Sequence, residues 1–293
     1  MLRHFDSFSG YGGFALGVKK AMSSTLIGFS ENDEYALKVL KYHWPEVTNY
    51  GDISKIDWST VPDFDLLTGG SPCQDLSIAG KRAGLGGARS GLFYEFVRTL
   101  KEKKPAYFIW ENVKGALSSQ GGWDFAAVLN EMAEAGYSLW WQVLNAKDFG
   151  VPQNRERVFV VGFRDRPAPE VFFEREDDSG DRAPAEEKEP TSLCLTTRSE
   201  RHDPTAQTLI ANALTCRQNP PSSTQRRSHE NYIESGLGIR RFTPTESERL
   251  FGLPDGWTSA GGTISDAQRY KMCGNGVVVS MVEALVRELI PGA

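Results

Sequence analysis

Cys73 sits behind Gly69-Gly70-Ser71-Pro72 and ahead of Gln74, directly after an apolar run at residues 64–68. A stretch rich in Gly, Lys and Arg follows at residues 77–91. A cysteine at the mouth of a strand with cations nearby has the setting of a nucleophilic thiolate. A free cysteine is also commonly a small buried hydrophobe, so other groups must decide. Glu111 ends a second apolar run at residues 106–110. A carboxylate at the carboxyl end of a central strand faces the crevice where α/β sheets bind ligands; it can equally cap a helix. Arg155 and Arg157 lie two apart, ahead of the β-like run at residues 158–163. Such a pair can grip phosphates or a base carbonyl, or form surface ion pairs with Glu156.

Other residues suit a small ligand. Ser9-Gly10-Tyr11-Gly12-Gly13 lies between a strand-like and a helix-like segment. Its glycines let backbone approach a ligand closely, although Gly-x-Gly-Gly is not the dinucleotide fingerprint and a plain tight turn fits as well. Glu31 closes the next apolar run, roughly 20 residues on, where ribose hydroxyls are gripped in nucleotide-binding α/β units. Asp33 reads as the cap of a helix over residues 34–43. Asp52, before Ile53, can accept from a purine amine or simply turn the chain.

The elements that must position these groups alternate. Strand-like runs at residues 3–8, 25–29, 64–68, 106–110, 138–145 and 158–163 are interleaved with helical spacing at 14–22, 34–43, 92–100 and 123–135. That alternation predicts an α/β fold built on one doubly wound sheet. The composition then changes. Residues 164–190 hold ten acidic and five basic side chains, which accounts for the whole net charge of −5. An exposed linker is expected there. The following segment, rich in Ser, Thr, Asn, Gln and Arg, has too few apolar runs for a large core and suits hydrogen bonding to base edges and phosphates. Thr243 with Glu246 has the spacing of a capping box. A last amphipathic helix follows Gly274-Asn275-Gly276, so the chain is expected to return and close the first domain's pocket.

Bulk properties exclude several classes. No apolar run approaches the ~20 residues of a membrane span, and the N-terminus lacks a signal peptide's apolar core. A cytoplasmic protein is expected. Four cysteines without a CxxC pair give no zinc spacing and no disulfide framework; no metal is expected. The acidic balance argues against a generally basic nucleic-acid footprint, but Lys81-Arg82, Arg226-Arg227 and Arg240-Arg241 are local basic clusters.

Taken in order, these motifs resemble the DNA (cytosine-5)-methyltransferase family over nearly the whole chain. Phe5-Asp6-Ser7-Phe8-Ser9-Gly10 through Phe14 resembles its cofactor motif, and Gly70-Ser71-Pro72-Cys73-Gln74 its nucleophile motif. Glu111-Asn112-Val113, Gln153 to Arg157, Arg241-Phe242-Thr243 with Gly252-Leu253-Pro254, and Gly274-Asn275-Gly276-Val277 match later ones. The resemblance implies a Rossmann-like sheet that binds S-adenosyl-L-methionine (SAM), formed by residues 1–165 and 268–293. It further implies a linker at 166–190 and a small, irregular target-recognition domain at 191–267. Cys73, Glu111, Arg155 and Arg157 would be catalytic, with Arg155 donating to the cytosine O2. SAM would be bound by Phe8, Ser9, Gly10, Gly12, Gly13, Phe14, Glu31, Asn32, Asp52, Ile53, Pro72, Leu92, Asn275 and Val277. Asn32 stands where several members carry an aromatic residue, and Gly276 where Ser is common. Gln74, Ser77, Lys81, Arg82, Arg89, Arg226, Arg227 and Arg240 would contact duplex DNA. The implied reaction is methyl transfer to C5 of a flipped cytosine through a Cys73–C6 adduct. Transfer RNA is the alternative substrate, a monomer is expected, and a cognate restriction endonuclease is an open partner class.

Overall fold

A computed structural model describes residues 1–72, 91–173, 193–195, 211–212, 232–235 and 238–292. In chain order the sheet-forming strands are β1 (Leu2–Ser7), β2 (Ser24–Ser30), β3 (Leu66–Gly69), β4 (Tyr107–Val113), β5 (Ser138–Asn145), the short β6 (Gln153–Asn154) and β7 (Glu156–Phe163). The helices among them are α1 (Gly13–Ala21), α2 (Glu34–His43), α3 (Gly91–Lys103) and α4 (Trp123–Glu134). The main sheet has six strands in the order β2-β1-β3-β4-β7-β5.

Strands β2, β1, β3 and β4 are parallel, whereas β7 runs antiparallel to both β4 and β5. The doubly wound expectation therefore holds for the first four strands and changes at the last. The reason is connection length. Residues 146–155 link β5 to β7 and contain only a single 3-10 turn, Ala146–Phe149, and β6. A parallel return needs a crossover of about a dozen residues or more, usually helical, while an antiparallel one does not.

Strand alternation sends neighbouring residues to opposite faces. Phe108, Trp110, Val158 and Val160 join a core under α3 and α4. Ile109, Phe159, Val161 and Phe163 join the other core. That second face is covered by α1 and by α7 (Val279–Leu289), which follows α5 (Pro244–Arg249) and α6 (Asp266–Asn275). The two covering helices touch closely: a Cβ on Gly17 would lie 2.6 Å from Val282 Cβ.

Segments expected outside the sheet domain also meet it. Of the acidic linker, residues 166–173 are described, and their backbone lies against edge strand β5. Trp140 Nε1 donates to the Val171 carbonyl at 2.6 Å, and Gln142 Nε2 to that of Phe173 at 2.8 Å. Leu250, Phe251, Leu253, Ala260 and Ile264, which the sequence groups with the recognition segment, are buried in the same core as α1 and α7. The capping box at α5 is present, with Thr243 and Glu246 each bonding the other's backbone. Within residues 191–241, β8 (Leu193–Leu195), β10 (Tyr232–Ser235) and β11 (Gly238–Arg241) pair antiparallel, and β9 (Ala211–Asn212) pairs parallel with β6.

Candidate active site

A cavity of about 540 Å³ opens at the carboxyl ends of β1 to β4. It lies beside β1, where the strand order reverses between β2 on one side and β3 on the other. Open α/β sheets bind ligands at such switch points.

The β1–α1 turn forms one wall. Phe8 has φ +52° and Gly10 φ +53°. A bulky residue at positive φ is an outlier, and this one lines the cavity. Ser9 Oγ donates to the Asp6 carbonyl at 2.7 Å, and Glu31 fixes the turn from β2. Its Oε2 accepts from Gly10 N, and its Oε1 from the amides of Asn32 and Asp33, all at 2.7 Å. A carboxylate so oriented presents fixed acceptors to the cavity. Asp33 caps α2 through the amides of Tyr35 and Ala36 and binds Lys271 of α6 at 2.9 Å.

The β3 and β4 ends form the opposite wall. Asn112 Nδ2 donates to the Ser71 carbonyl at 3.0 Å, and Trp110 Nε1 to Ser71 Oγ at 3.1 Å. These bonds tie the Gly70-Ser71-Pro72 segment, which leads to Cys73, onto β4. Glu111 faces this segment so closely that a Cβ on Gly70 would lie 2.9 Å from its Oε2. Arg157 stands opposite Val113 across the β4–β7 ladder, so it is the diagonal neighbour of Glu111 on the same face. Arg157 Nε meets Glu111 Oε1 at 3.0 Å, with both side chains largely buried. Burial raises the Glu111 carboxyl above its ordinary range, and the Arg157 and Arg155 charges only partly offset it.

The two arginines diverge. Arg155 is 2% exposed. Its Nη2 donates to the carbonyls of Gly276 at 2.8 Å and Gly274 at 3.2 Å, and its guanidinium lies 4.9 Å from the Phe251 ring centre. Burial and the neighbouring Arg157 lower its pKa to about 10. Arg155 Nη2 thus ties the C-terminal segment to the site; both arginines line the cavity, and Arg157 is the one in contact with Glu111.

Of the expected cofactor residues, Phe8, Ser9, Gly10, Gly13, Phe14, Glu31, Pro72, Asn275 and Val277 line the cavity. Gly12, Asn32, Asp52, Ile53 and Leu92 do not. Gly12 has φ +81°, and a Cβ there would strike Trp44 at 2.5 Å, so its glycine answers to packing and turn geometry. Asn32 is exposed. Asp52 caps a 3-10 turn, its Oδ1 accepting from Ser54 N and Oγ, while Ile53 is 2% exposed. Leu92 packs under the sheet in the α3 core. Cys73, Gln74, Ser77, Lys81, Arg82, Arg89, Arg226 and Arg227 lie outside the described residues. Arg240 is placed by its backbone, opposite Ile233 in the β10–β11 pair.

Tyr11, Asn112 and Lys271 are the site residues that the sequence reading did not single out. An aromatic side chain between glycines is a usable signal for Tyr11. Ser265 with Gln268, spaced like a helix start, is one for α6, which carries Lys271.

The family model described as C-5 cytosine-specific DNA methylase matches residues 2–204 and 180–291. The chain belongs to this family. The chain is 33% identical over 307 residues to the type II methyltransferase M.SsoII of Shigella sonnei, covering 98% of this chain and 80% of that protein. It is also 33% identical over 310 residues to M.NlaX of Neisseria lactamica, covering 99% and 96%. The orphan methyltransferase M.SPRI of Bacillus phage SPR is 44% identical over 167 residues, 56% of this chain but only 38% of the phage protein. For M.Rho11sI of phage rho11s the corresponding share of the relative is 33%, so the chain spans about a third of the length of these two phage relatives. Among solved structures, a putative DNA modification methyltransferase encoded within an Escherichia coli prophage gives a TM-score of 0.65 at 20% identity, covering 98% of each chain. A variant of Spodoptera frugiperda DNMT2 gives 0.66 at 18%, covering 98% and 99%. These two share the fold.

Proposed function

We propose that the methylase transfers a methyl group from SAM to C5 of a cytosine in duplex DNA. One observation carries the reading. A single cavity is bounded at one side by the Glu31 and Gly10 turn and at the other by Pro72, Glu111 and Arg157. A cofactor pocket and a base pocket are thereby contiguous.

The residues present fit SAM. Glu31 offers a carboxylate held by three amides, suited to a ribose diol. Gly10 and Gly13 keep side chains out of the turn, and Phe14 and Val277 supply apolar wall. When bound, SAM supplies a methyl group on a sulfonium sulfur, an electrophile for C5.

Cytosine C5 is a poor nucleophile until C6 is attacked. Cys73, as thiolate, forms a bond to C6, and the ring electrons move toward C5 and N3. Glu111, whose carboxyl burial shifts toward the protonated form, gives N3 its proton and accepts from the N4 amino group. Arg157 donates to O2 as charge develops there. After C5 is methylated, its proton leaves to water, the C6–S bond breaks, the thiolate departs as the ring double bond returns, and N3 gives its proton back to Glu111. C6 is reachable only if the base leaves the duplex stack, so base flipping accompanies the step. The stretch from Ser77 to Gly91, with Lys81, Arg82 and Arg89, is proposed to close on the DNA, and the polar segment 191–241 to read it. Restriction-modification is the proposed setting, supported by relatives named as type II methyltransferases. Among the described residues no helix is long and apolar enough to cross a membrane.

The substrate is tested by incubating the methylase with methyl-labelled SAM and separate pools of genomic DNA and total RNA, then digesting to nucleosides. Label is expected in 5-methyldeoxycytidine. Label confined to RNA would establish the transfer-RNA alternative, and label in an N4-methylated base would overturn the C5 chemistry.

A further inference from the structure

The cavity's walls come from opposite ends of the chain, and one side chain joins them. Tyr11 lies in the glycine turn and is 1% exposed. Its hydroxyl donates to the Val277 carbonyl at 2.6 Å. Its own carbonyl accepts from Trp257 Nε1 at 2.9 Å. Its ring occupies the space beside Gly276, where a Cβ would lie 2.0 Å from Tyr11 Cε1. Gly276 has φ −85° and ψ 171°, a backbone conformation open to any residue. The ring of Tyr11, and not the chain's conformation, therefore demands glycine there. On the other side, a Cβ on Gly13 would lie 2.8 Å from Tyr11 Cε2 and 2.9 Å from Val277 Cγ1. Gly13, Tyr11, Gly276 and Val277 thus interlock without spare room.

We propose that Tyr11 and Gly276 are a matched pair that holds the segment at residues 275–277 closed against the glycine turn, making Tyr11 a positioning residue that sets cofactor affinity. This rests on the cavity being the SAM site. Loss of the hydroxyl leaves the Val277 carbonyl without that donor and weakens the closed arrangement. A ligand that binds only the closed form then binds more weakly by the fraction of molecules closed. Once SAM is saturating, every complex is closed, so turnover is spared.

The test is calorimetric binding of SAM, with steady-state kinetics and thermal midpoints, for the wild type, Tyr11→Phe, Gly276→Ser and the double variant Tyr11→Leu/Gly276→Ser. Tyr11→Phe is expected to raise Kd and KM for SAM by about tenfold. Turnover at saturating SAM stays within about twofold and KM for DNA is unchanged. Gly276→Ser weakens SAM at least as much, because its Cβ meets the ring. In the double variant the ring is gone, so the two losses do not add and SAM affinity stays near that of Tyr11→Phe alone. Wild-type SAM affinity in Tyr11→Phe, a fall in kcat without a change in KM, or additive losses in the double variant would overturn the pairing. A wild-type protein that binds neither SAM nor its demethylated product overturns the cofactor reading and the inference with it.

Discussion

Glu111→Gln is expected to lower kcat by about 10²–10⁴-fold, the span typical of a lost general acid, while SAM affinity stays near the wild-type value. Gln keeps the shape and can still bond Arg157, but it has no proton to give N3. The folded site explains why a glutamate can serve. Burial lifts its carboxyl above the ordinary range despite Arg157 at 3.0 Å. The sign of the pH effect follows. A raised acid stays protonated at pH values where an ordinary glutamate has ionised, so kcat should fall as pH rises through the raised value. Any stability from keeping this group neutral is complete below the unfolded glutamate's pKa and is lost over that same rise. The alkaline limb assigned to Glu111 should be missing from the residual activity of Glu111→Gln. A variant with wild-type kcat, or one that retains that limb, would remove Glu111 from the chemistry.

Gly70→Ala is expected to cost on the order of 10²-fold in kcat with little change in thermal midpoint. The new Cβ would lie 2.9 Å from Glu111 Oε2 and 3.3 Å from the Glu111 carbonyl oxygen. The nearest atom is the end of a side chain that can swing, so the fold tolerates the methyl. The atom that swings is the one proposed to handle N3, and a displacement near 1 Å is enough to lose about two orders of magnitude. Gly69→Ala provides the contrast. Its Cβ would meet Ser7 Oγ at 2.2 Å and the Ser7 carbonyl at 2.8 Å, inside the β1–β3 pairing. Kinetics and melting curves on both variants separate a displaced carboxylate from a damaged sheet. A Gly70→Ala enzyme with full activity would place the reacting base elsewhere.

Much of this architecture is legible in the sequence because local patterns agree with the global fold. Asp33 and the apolar spacing after it give α2 at its observed bounds, and the run at residues 138–145 gives β5 at its own. The antiparallel direction of β7 is less legible, since periodicity fixes a strand and not its orientation. Helix α6 is not predicted, since its apolar spacing is weak and Gly274 and Gly276 mark only its end. Arg155 and Arg157 look alike in sequence. What parts them is that Arg157 sits within the β7 ladder, on the face of Glu111, while Arg155 lies between β6 and β7 and turns toward Gly274 and Gly276. Asp52 suits an adenine contact or a turn by position, and its Oδ1 is seen capping the turn at Ser54. The glycine at position 276 is a departure by pattern alone, and the Tyr11 ring, far away in sequence, gives its physical reason.

The covalent step is the centre of the account, and trapping it is the most direct test. Cytosines in a DNA substrate are replaced by 5-fluorocytosine, whose C5 fluorine cannot leave as a proton does, so the final elimination is blocked. Mass spectrometry of the digested complex formed with SAM should then show the peptide containing Cys73 carrying the methylated, fluorinated base through sulfur. Formation of 5-methylcytosine on ordinary DNA together with no adduct on the fluorinated DNA, or with an adduct on any other residue, would contradict it.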